Sequence, residues 1–118
     1  MSNIKAIVFD LDGVFKIGNK LINGVENILE KLNKKNIQTM IVTNECRYTV
    51  ETLKNKLKNM GLNIPDNTLF YTAALSCKDY IEKKINRFPK TIFNIGIVGE
   101  NGLYKTLDKL NKYNNFNI

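Results

Sequence analysis

The sequence has no histidine and no tryptophan, only two cysteines and two prolines, and 11 acidic residues against 18 basic ones. Each scarcity excludes something. Without histidine there is no Ser-His-Asp or Cys-His nucleophile and no imidazole base. Any catalysis must run on carboxylates, Lys, Ser/Thr, Tyr, Cys or a metal. The two cysteines, Cys46 and Cys77, lack CxxC spacing and a histidine partner, which argues against a zinc site. They read as reduced thiols. No apolar run approaches the length that crosses a bilayer, so no membrane association is expected. The N-terminus leads straight into a strand pattern without a secretory signal, and the expected location is the cytoplasm.

What is present suits a compact domain: 118 residues, 43% apolar and 25% charged. A chain of this length buries a real core with little margin. The net charge of +7 attracts anions such as phosphate esters. The lysines are spread along the chain and not clustered with aromatics, so nucleic acid is not an expected partner.

Strand and helix patterns alternate. Ile4 to Phe9 and Ile37 to Val42 are short apolar runs suited to buried parallel strands. Ile22, Val25, Ile28, Leu29 and Leu32 predict a helix from Ile22 to about Lys35. Val50, Leu53, Leu57 and Met60 predict a second helix, which Gly61 ends. Leu69 to Thr72 reads as a short strand. Ala74, Cys77, Ile81 and Ile85 form a third helical stripe, which Pro89 breaks. Thr91 to Val98 reads as a further strand, and Leu103, Leu107 and Leu110 as a fourth helix. The Asn-rich end, Asn111 to Ile118, carries little signal and is expected to fray. Such alternation implies a parallel sheet with right-handed crossovers. Sites in open parallel sheets lie beyond the carboxyl ends of the strands. Functional residues are therefore expected just after Phe9, Val42, Tyr71 and Val98.

Two of those places carry suggestive chemistry. Asp10 and Asp12 follow the first strand, with Gly13 next. Two neighbouring carboxylates repel unless a cation or a shared proton intervenes, and Mg²⁺ is the natural partner of such oxygen ligands. Gly13 lets the backbone turn and approach a ligand closely. An aspartate can attack phosphorus to form an aspartyl-phosphate, while a second carboxylate moves the proton. Asp10 and Asp12 suit these two roles, with either or both on the metal. After the second strand, Thr43 is placed to donate its hydroxyl to a phosphoryl oxygen, and Asn44 to contact substrate or orient the loop. Taken alone, Asp-x-Asp-Gly also fits a plain turn, and Thr43-Asn44 fits a helix N-cap. The EF-hand spacing is absent, and Gly96, Gly99 and Gly102 match neither nucleotide-binding glycine pattern. They read as turn and helix-start glycines.

Asp10-Leu11-Asp12-Gly13-Val14 resembles the first motif of the haloacid dehalogenase-like (HAD) phosphatases, and Ile41-Val42-Thr43-Asn44 resembles their second. The resemblance is closest to the nitrophenylphosphatase, phosphoglycolate phosphatase and NagD-like subgroup. Gly18, Arg47, Lys58 to Leu62, Tyr71 to Ala74 and Ile95 to Leu103 follow that subgroup's course. The resemblance implies an α/β, Rossmann-like (HAD-type) parallel sheet with flanking helices, plus the start of a cap domain. It places the N-terminal part of the core at residues 1–75 and a truncated cap-like segment at 76–118. It implies Mg²⁺-dependent hydrolysis of a small-molecule phosphomonoester through an aspartyl-phosphate. Asp10 would be nucleophile and metal ligand, and Asp12 acid/base with its backbone carbonyl on the metal. Thr43 would bind the phosphoryl group, with Gly13 and Asn44 lining its site.

Two departures stand out. The family's third motif, a lysine, and its fourth, an acidic pair, have no counterpart in context here. Glu45 stands where the subgroup usually has a second Asn, and a carboxylate beside phosphate needs to point away or pair with Lys or Arg. The expectation is a fragment, a truncated product, or a chain completed by another, with a homo-oligomer or a completing C-terminal segment left open. Two other readings stand beside the enzyme. One is a catalytically incompetent HAD-like binding or interaction module. The other is a phospho-receiver, which no suitably placed lone aspartate supports.

Overall fold

The apolar run at Ile4 to Phe9 becomes the first strand, β1 (Ala6–Asp10). The computed structural model describes residues 3–118. After β1 come β2 (Lys16–Ile17), β3 (Lys20–Leu21), α1 (Ile28–Lys34), β4 (Gln38–Thr43), α2 (Val50–Asn59) and β5 (Leu69–Thr72). Then follow α3 (Ala73–Arg87), β6 (Phe93–Asn94), α4 (Asn101–Asp108), a 3₁₀ turn (Lys109–Lys112) and β7 (Phe116–Asn117). The chain divides into two compact units. The first holds residues up to Thr43 together with Val50–Tyr71; the second holds Asn44–Thr49 and Thr72–Ile118.

In the first unit β4 is the central strand, with sheet order β1-β4-β5. β1 and β4 pair in parallel, Ala6 opposite Gln38 and Asp10 opposite Val42. The αβ alternation read from the sequence is therefore a parallel sheet. Its strands are covered on one face only. Thr39, Ile41, Thr43 and Phe70 are buried, as are Leu29 of α1 and Leu53 and Leu57 of α2. The opposite face is open: Val8 is 64% exposed, Val42 37% and Leu69 53%. The sequence predicts strands buried on both faces, because their apolar runs are nearly continuous. The structure corrects this to alternating burial, since the helices of this unit supply one layer.

Helix α1 is also shorter than its apolar spacing predicts. Residues 22–27 form turns, with the Val25 amide donating to Ile22 at 3.3 Å and the Ile28 amide to Val25 at 3.1 Å. Gly24 lies at φ +90°, a backbone conformation that breaks a right-handed helix. Helix α2 matches its stripe and stops where Gly61 predicts, with the Leu62 amide returning to the Leu57 carbonyl at 3.0 Å.

The second unit packs α3 against α4. Its core is Ile85, Leu107, Leu110 and Phe116, joined by Ile81, Phe93, Leu103 and Tyr113. Thr72 caps α3 by accepting the Leu75 amide at 3.3 Å. The strand expected over Thr91 to Val98 is found only at Phe93–Asn94, which pair in parallel with Phe116–Asn117 of β7. Gly96 and Gly99 further weaken strand structure beyond that pair. The end of the chain does not fray as its asparagines suggest. Phe116 is 3% exposed, and the Ile95 amide donates to the Asn117 carbonyl at 2.9 Å.

Candidate active site

The loop after β1 is built around one apolar anchor. Leu11 separates the two carboxylates and is fully buried. Its carbonyl accepts the Phe15 amide at 2.9 Å and the Lys16 amide at 3.3 Å. Gly13 sits at φ +82°, and its amide donates to the Lys16 carbonyl at 2.7 Å. A side chain there would be strained, so the glycine is needed for the turn itself. Phe15, 1% exposed, meets Phe9 edge-on with centroids 5.1 Å apart. Beyond the loop, β2 and β3 form a small antiparallel hairpin that pairs Lys16 with Leu21. Burying Leu11 and Phe15 turns the flanking Asp10 and Asp12 outward, and both are exposed.

Both carboxylates are engaged by neighbours within the loop. Oδ1 of Asp10 accepts the Leu11 amide at 2.7 Å, which fixes the side chain against its own backbone. Oδ1 of Asp12 accepts from the Lys16 ammonium, and the two form an ion pair. The Lys16 side chain is 11% exposed and its ammonium also lies 3.4 Å from the Gly18 carbonyl. The hairpin and Lys16 are absent from the expectations above. Gly18-Asn19 between Lys16-Ile17 and Lys20-Leu21 is a two-residue hairpin signal and could have shown the first. A lysine is ordinarily exposed, so its sequence context gave no sign of the second.

Thr43 ends β4 one residue past Val42, the register partner of Asp10. It is 5% exposed and falls in the buried series with Thr39 and Ile41. The carboxyl ends of β1 and β4 thus bring Asp10 and Thr43 to one end of the sheet. Asp12 and Gly13 follow on the same loop. Asn44 belongs to the second unit and is exposed.

Glu45 resolves the second sequence departure by pairing. Its side chain is 6% exposed and is held by Arg47, whose Nη2 donates at 2.6 Å, Nε at 3.0 Å and backbone amide at 2.8 Å. The Arg47 side-chain hydrogen bond holds the Glu45 carboxyl below its ordinary value, against the opposing effect of burial. Arg47 is correspondingly raised by the same hydrogen bond.

Asp10 and Asp12 suit a hard divalent cation in kind, since both are oxygen donors. Mg²⁺ is commonly held by one or two carboxylates, with water and substrate phosphate completing its shell. Among the described residues no three or more His, Cys, Asp or Glu side chains gather into a fuller cage.

The family described as haloacid dehalogenase-like hydrolase matches residues 7–112. The chain belongs to the haloacid dehalogenase-like hydrolases. Among similar HAD-like relatives, phosphoglycolate phosphatase 1A, chloroplastic, of Arabidopsis thaliana is 31% identical over 108 residues. That match covers 92% of this chain and 29% of the relative. Ribonucleotide monophosphatase NagD of Escherichia coli (strain K12) is 27% identical, over 90% of this chain and 40% of its own. The solved structure of NagD from E. coli K-12 superposes with TM-score 0.78 at 27% identity, covering 98% of this chain and 42% of that one. A hypothetical protein from Pyrococcus horikoshii OT3 superposes with TM-score 0.73 at 34% identity, covering 90% and 38%. The chain thus has the HAD-type α/β fold and spans less than half the length of these relatives. No helix among the described residues is long and apolar enough to cross a membrane.

Proposed function

We propose that this HAD-like chain supplies the nucleophile loop of a Mg²⁺-dependent phosphomonoesterase acting on small phosphorylated molecules. The observation that carries the reading is the pair Asp10 and Asp12. Both are turned to solvent at the carboxyl end of β1 by the buried Leu11. Relatives named as phosphatases of phosphoglycolate and of ribonucleotide monophosphates support a small phosphate ester as the substrate class.

In this reading Asp10 is the nucleophile. Its Oδ1 is engaged by the Leu11 amide, so Oδ2 is the oxygen presented to phosphorus. Attack forms the Asp10–phosphorus bond and breaks the bond from phosphorus to the ester oxygen, whose electron pair takes a proton from Asp12. Water then attacks the acyl phosphate and gives its proton to Asp12. The Asp10–phosphorus bond breaks and inorganic phosphate leaves. Two proton transfers through one carboxylate return the site to its starting state. Bound Mg²⁺, which the Asp10 carboxylate and the Asp12 backbone carbonyl would hold, would offset the charge of the phosphoryl oxygens. Gly13, Thr43 and Asn44 are the proposed phosphate-binding residues. A cytoplasmic setting is part of the same proposal.

The test is phosphate release from p-nitrophenyl phosphate by the full-length gene product with Mg²⁺. Acid quenching of the wild type is expected to trap a phosphoenzyme sensitive to hydroxylamine. Asp10→Asn is expected to lose both the trapped species and turnover. Turnover that survives this substitution removes Asp10 as nucleophile.

A further inference from the structure

Asp10 and Thr43 stand at the carboxyl ends of β1 and β4. A separate cleft opens toward the amino ends of β4 and β5, between α1 and the segment that joins α2 to β5. It lies wholly within the first unit. Its volume is about 540 Å³, in the range of small-molecule sites. Glu30 and Asn33 line it from α1, where a spacing of three puts them on one face. Lys58, in the last turn of α2, and Asn63 line it from the facing segment. Ile64 and Pro65 supply an apolar wall.

The two amides in the cleft are oriented by their neighbours. Oδ1 of Asn33 accepts from Nδ2 of Asn67 at 2.8 Å, which leaves Nδ2 of Asn33 as a donor. Nδ2 of Asn63 donates to Oδ1 of Asn27, which leaves Oδ1 of Asn63 as an acceptor. The Asn63 backbone amide donates to the Glu26 carbonyl at 2.9 Å and fixes this segment against the turns ahead of α1. Oε1 of Glu30 accepts from Lys34 at 3.0 Å, and that lysine side chain is 73% exposed. Surface pairs of this kind are weak and exchange readily. Lys58 is exposed and brings a positive charge to the other side. The cleft thus presents two donors, Lys58 and Asn33, and two acceptors, Glu30 and Asn63. A plain anion would be repelled by Glu30 and a plain cation by Lys58. A molecule carrying both charges satisfies both, and an apolar body suits Ile64 and Pro65.

We propose that this cleft binds a free α-amino acid with an apolar side chain. Lys58 and Asn33 take the carboxylate, Glu30 and Asn63 take the ammonium, and the side chain lies on Ile64 and Pro65. The inference does not rest on the chemistry proposed at Asp10.

The test titrates the full-length protein with L-leucine and follows the side-chain amide resonances of Asn33 and Asn63. Both signals are expected to shift and to saturate together. N-acetyl-leucine lacks the ammonium charge and leucinamide lacks the carboxylate. Each is expected to bind at least about five-fold more weakly than leucine, the worth of one exposed ion pair. Lys58→Met is expected to weaken leucine by a similar factor and to leave leucinamide unchanged. Glu30→Gln is expected to weaken leucine and to leave N-acetyl-leucine unchanged. This crossed pattern separates direct contact from a general disturbance of the fold. Asn33 and Asn63 signals that stay fixed at millimolar leucine overturn the proposal. So does equal binding of the three ligands, or leucine binding indifferent to both substitutions. The wild-type titrations decide the matter even if a variant fails to fold.

Discussion

The amide of Gly102, in the first turn of α4, donates to the carbonyl of Arg47 at 3.0 Å. A Cβ at Gly102 would overlap the backbone of Arg47 and Tyr48. Segment 44–49 and α4 therefore touch main chain to main chain, and Gly102 is the residue that permits it. Two effects oppose each other in Gly102→Ala. Helix propensity favours alanine by up to about 1 kcal/mol. Steric overlap with fixed backbone costs about 1–3 kcal/mol. Overlap is expected to win, giving a net loss of about 1–2 kcal/mol in urea unfolding. A stabilised variant would show that this contact is looser than it looks.

Acid should weaken the protein through Glu82. This carboxylate accepts from Lys78 at 2.8 Å, from the Tyr113 hydroxyl at 2.7 Å, and from Lys112 at 2.9 Å. The Lys78 hydrogen bond, followed by those from Tyr113 and Lys112, lowers its pKa from the ordinary 4.5 to about 2. A carboxyl with a depressed folded-state pKa stabilises the fold above its unfolded value. That contribution is lost as pH falls from about 4.5 to about 2. Glu45, depressed by Arg47, acts in the same direction. Glu82→Gln is expected to lower stability at neutral pH by about 1 kcal/mol. It should also flatten the fall in melting temperature below pH 4.5. An unchanged acid slope would remove Glu82 from this role.

Leu11 is expected to matter as much to the site as to the core. Leu11→Ala opens a cavity beneath the loop and should cost about 2–5 kcal/mol by denaturant titration. Mn²⁺ binding should weaken in the same variant while it remains folded, because Asp10 and Asp12 lose their shared anchor. Unaltered Mn²⁺ affinity would show that the carboxylates are held by other means.

The open face of the β1-β4-β5 sheet presents Val8, Val42 and Leu69 to solvent. Contiguous apolar surface of this kind binds amphiphilic dyes and promotes association. The 118-residue polypeptide is expected to enhance anilinonaphthalene sulfonate fluorescence at neutral pH, and Val8→Thr to reduce the signal. A signal indifferent to Val8 would place the dye elsewhere.

Much of the fold was readable because local pattern and tertiary role agree. The stripes of α2, α3 and α4 mark buried Leu53, Leu57, Ala74, Ile85, Leu107 and Leu110, although Cys77 of the α3 stripe is exposed, and the β4 run marks buried Ile41. Agreement failed where pairing or turn chemistry overrode the pattern. Val25 continues a helical spacing from Ile22, but Gly24 turns the chain between them. Ile95 and Ile97 look like strand residues, but they pack their side chains on the core of the second unit beyond the two-residue ladder of β6. Phe116 carries no periodic signal, since its burial depends on Ile85, Leu107 and Leu110 arriving from other elements. The place of Asp10 and Asp12 at the carboxyl end of β1 was legible from the apolar run before them, and the Glu45–Arg47 pair from the need of that carboxylate for a cation. Lys16 was not, because burial of its stem follows from a hairpin that puts it beside Asp12.

The pairing of Phe93 with Phe116 bears on the order in which the molecule is made. Every segment of the first unit has left the ribosome once Tyr71 is out, so that unit can close early. The second unit waits: β6 has no strand to pair with until Phe116 and Asn117 emerge. Until then Ile85, Leu107 and Leu110 lack the ring that completes their core. During synthesis the loop that carries Asp10 and Asp12 can thus be formed while the second unit still awaits Phe116.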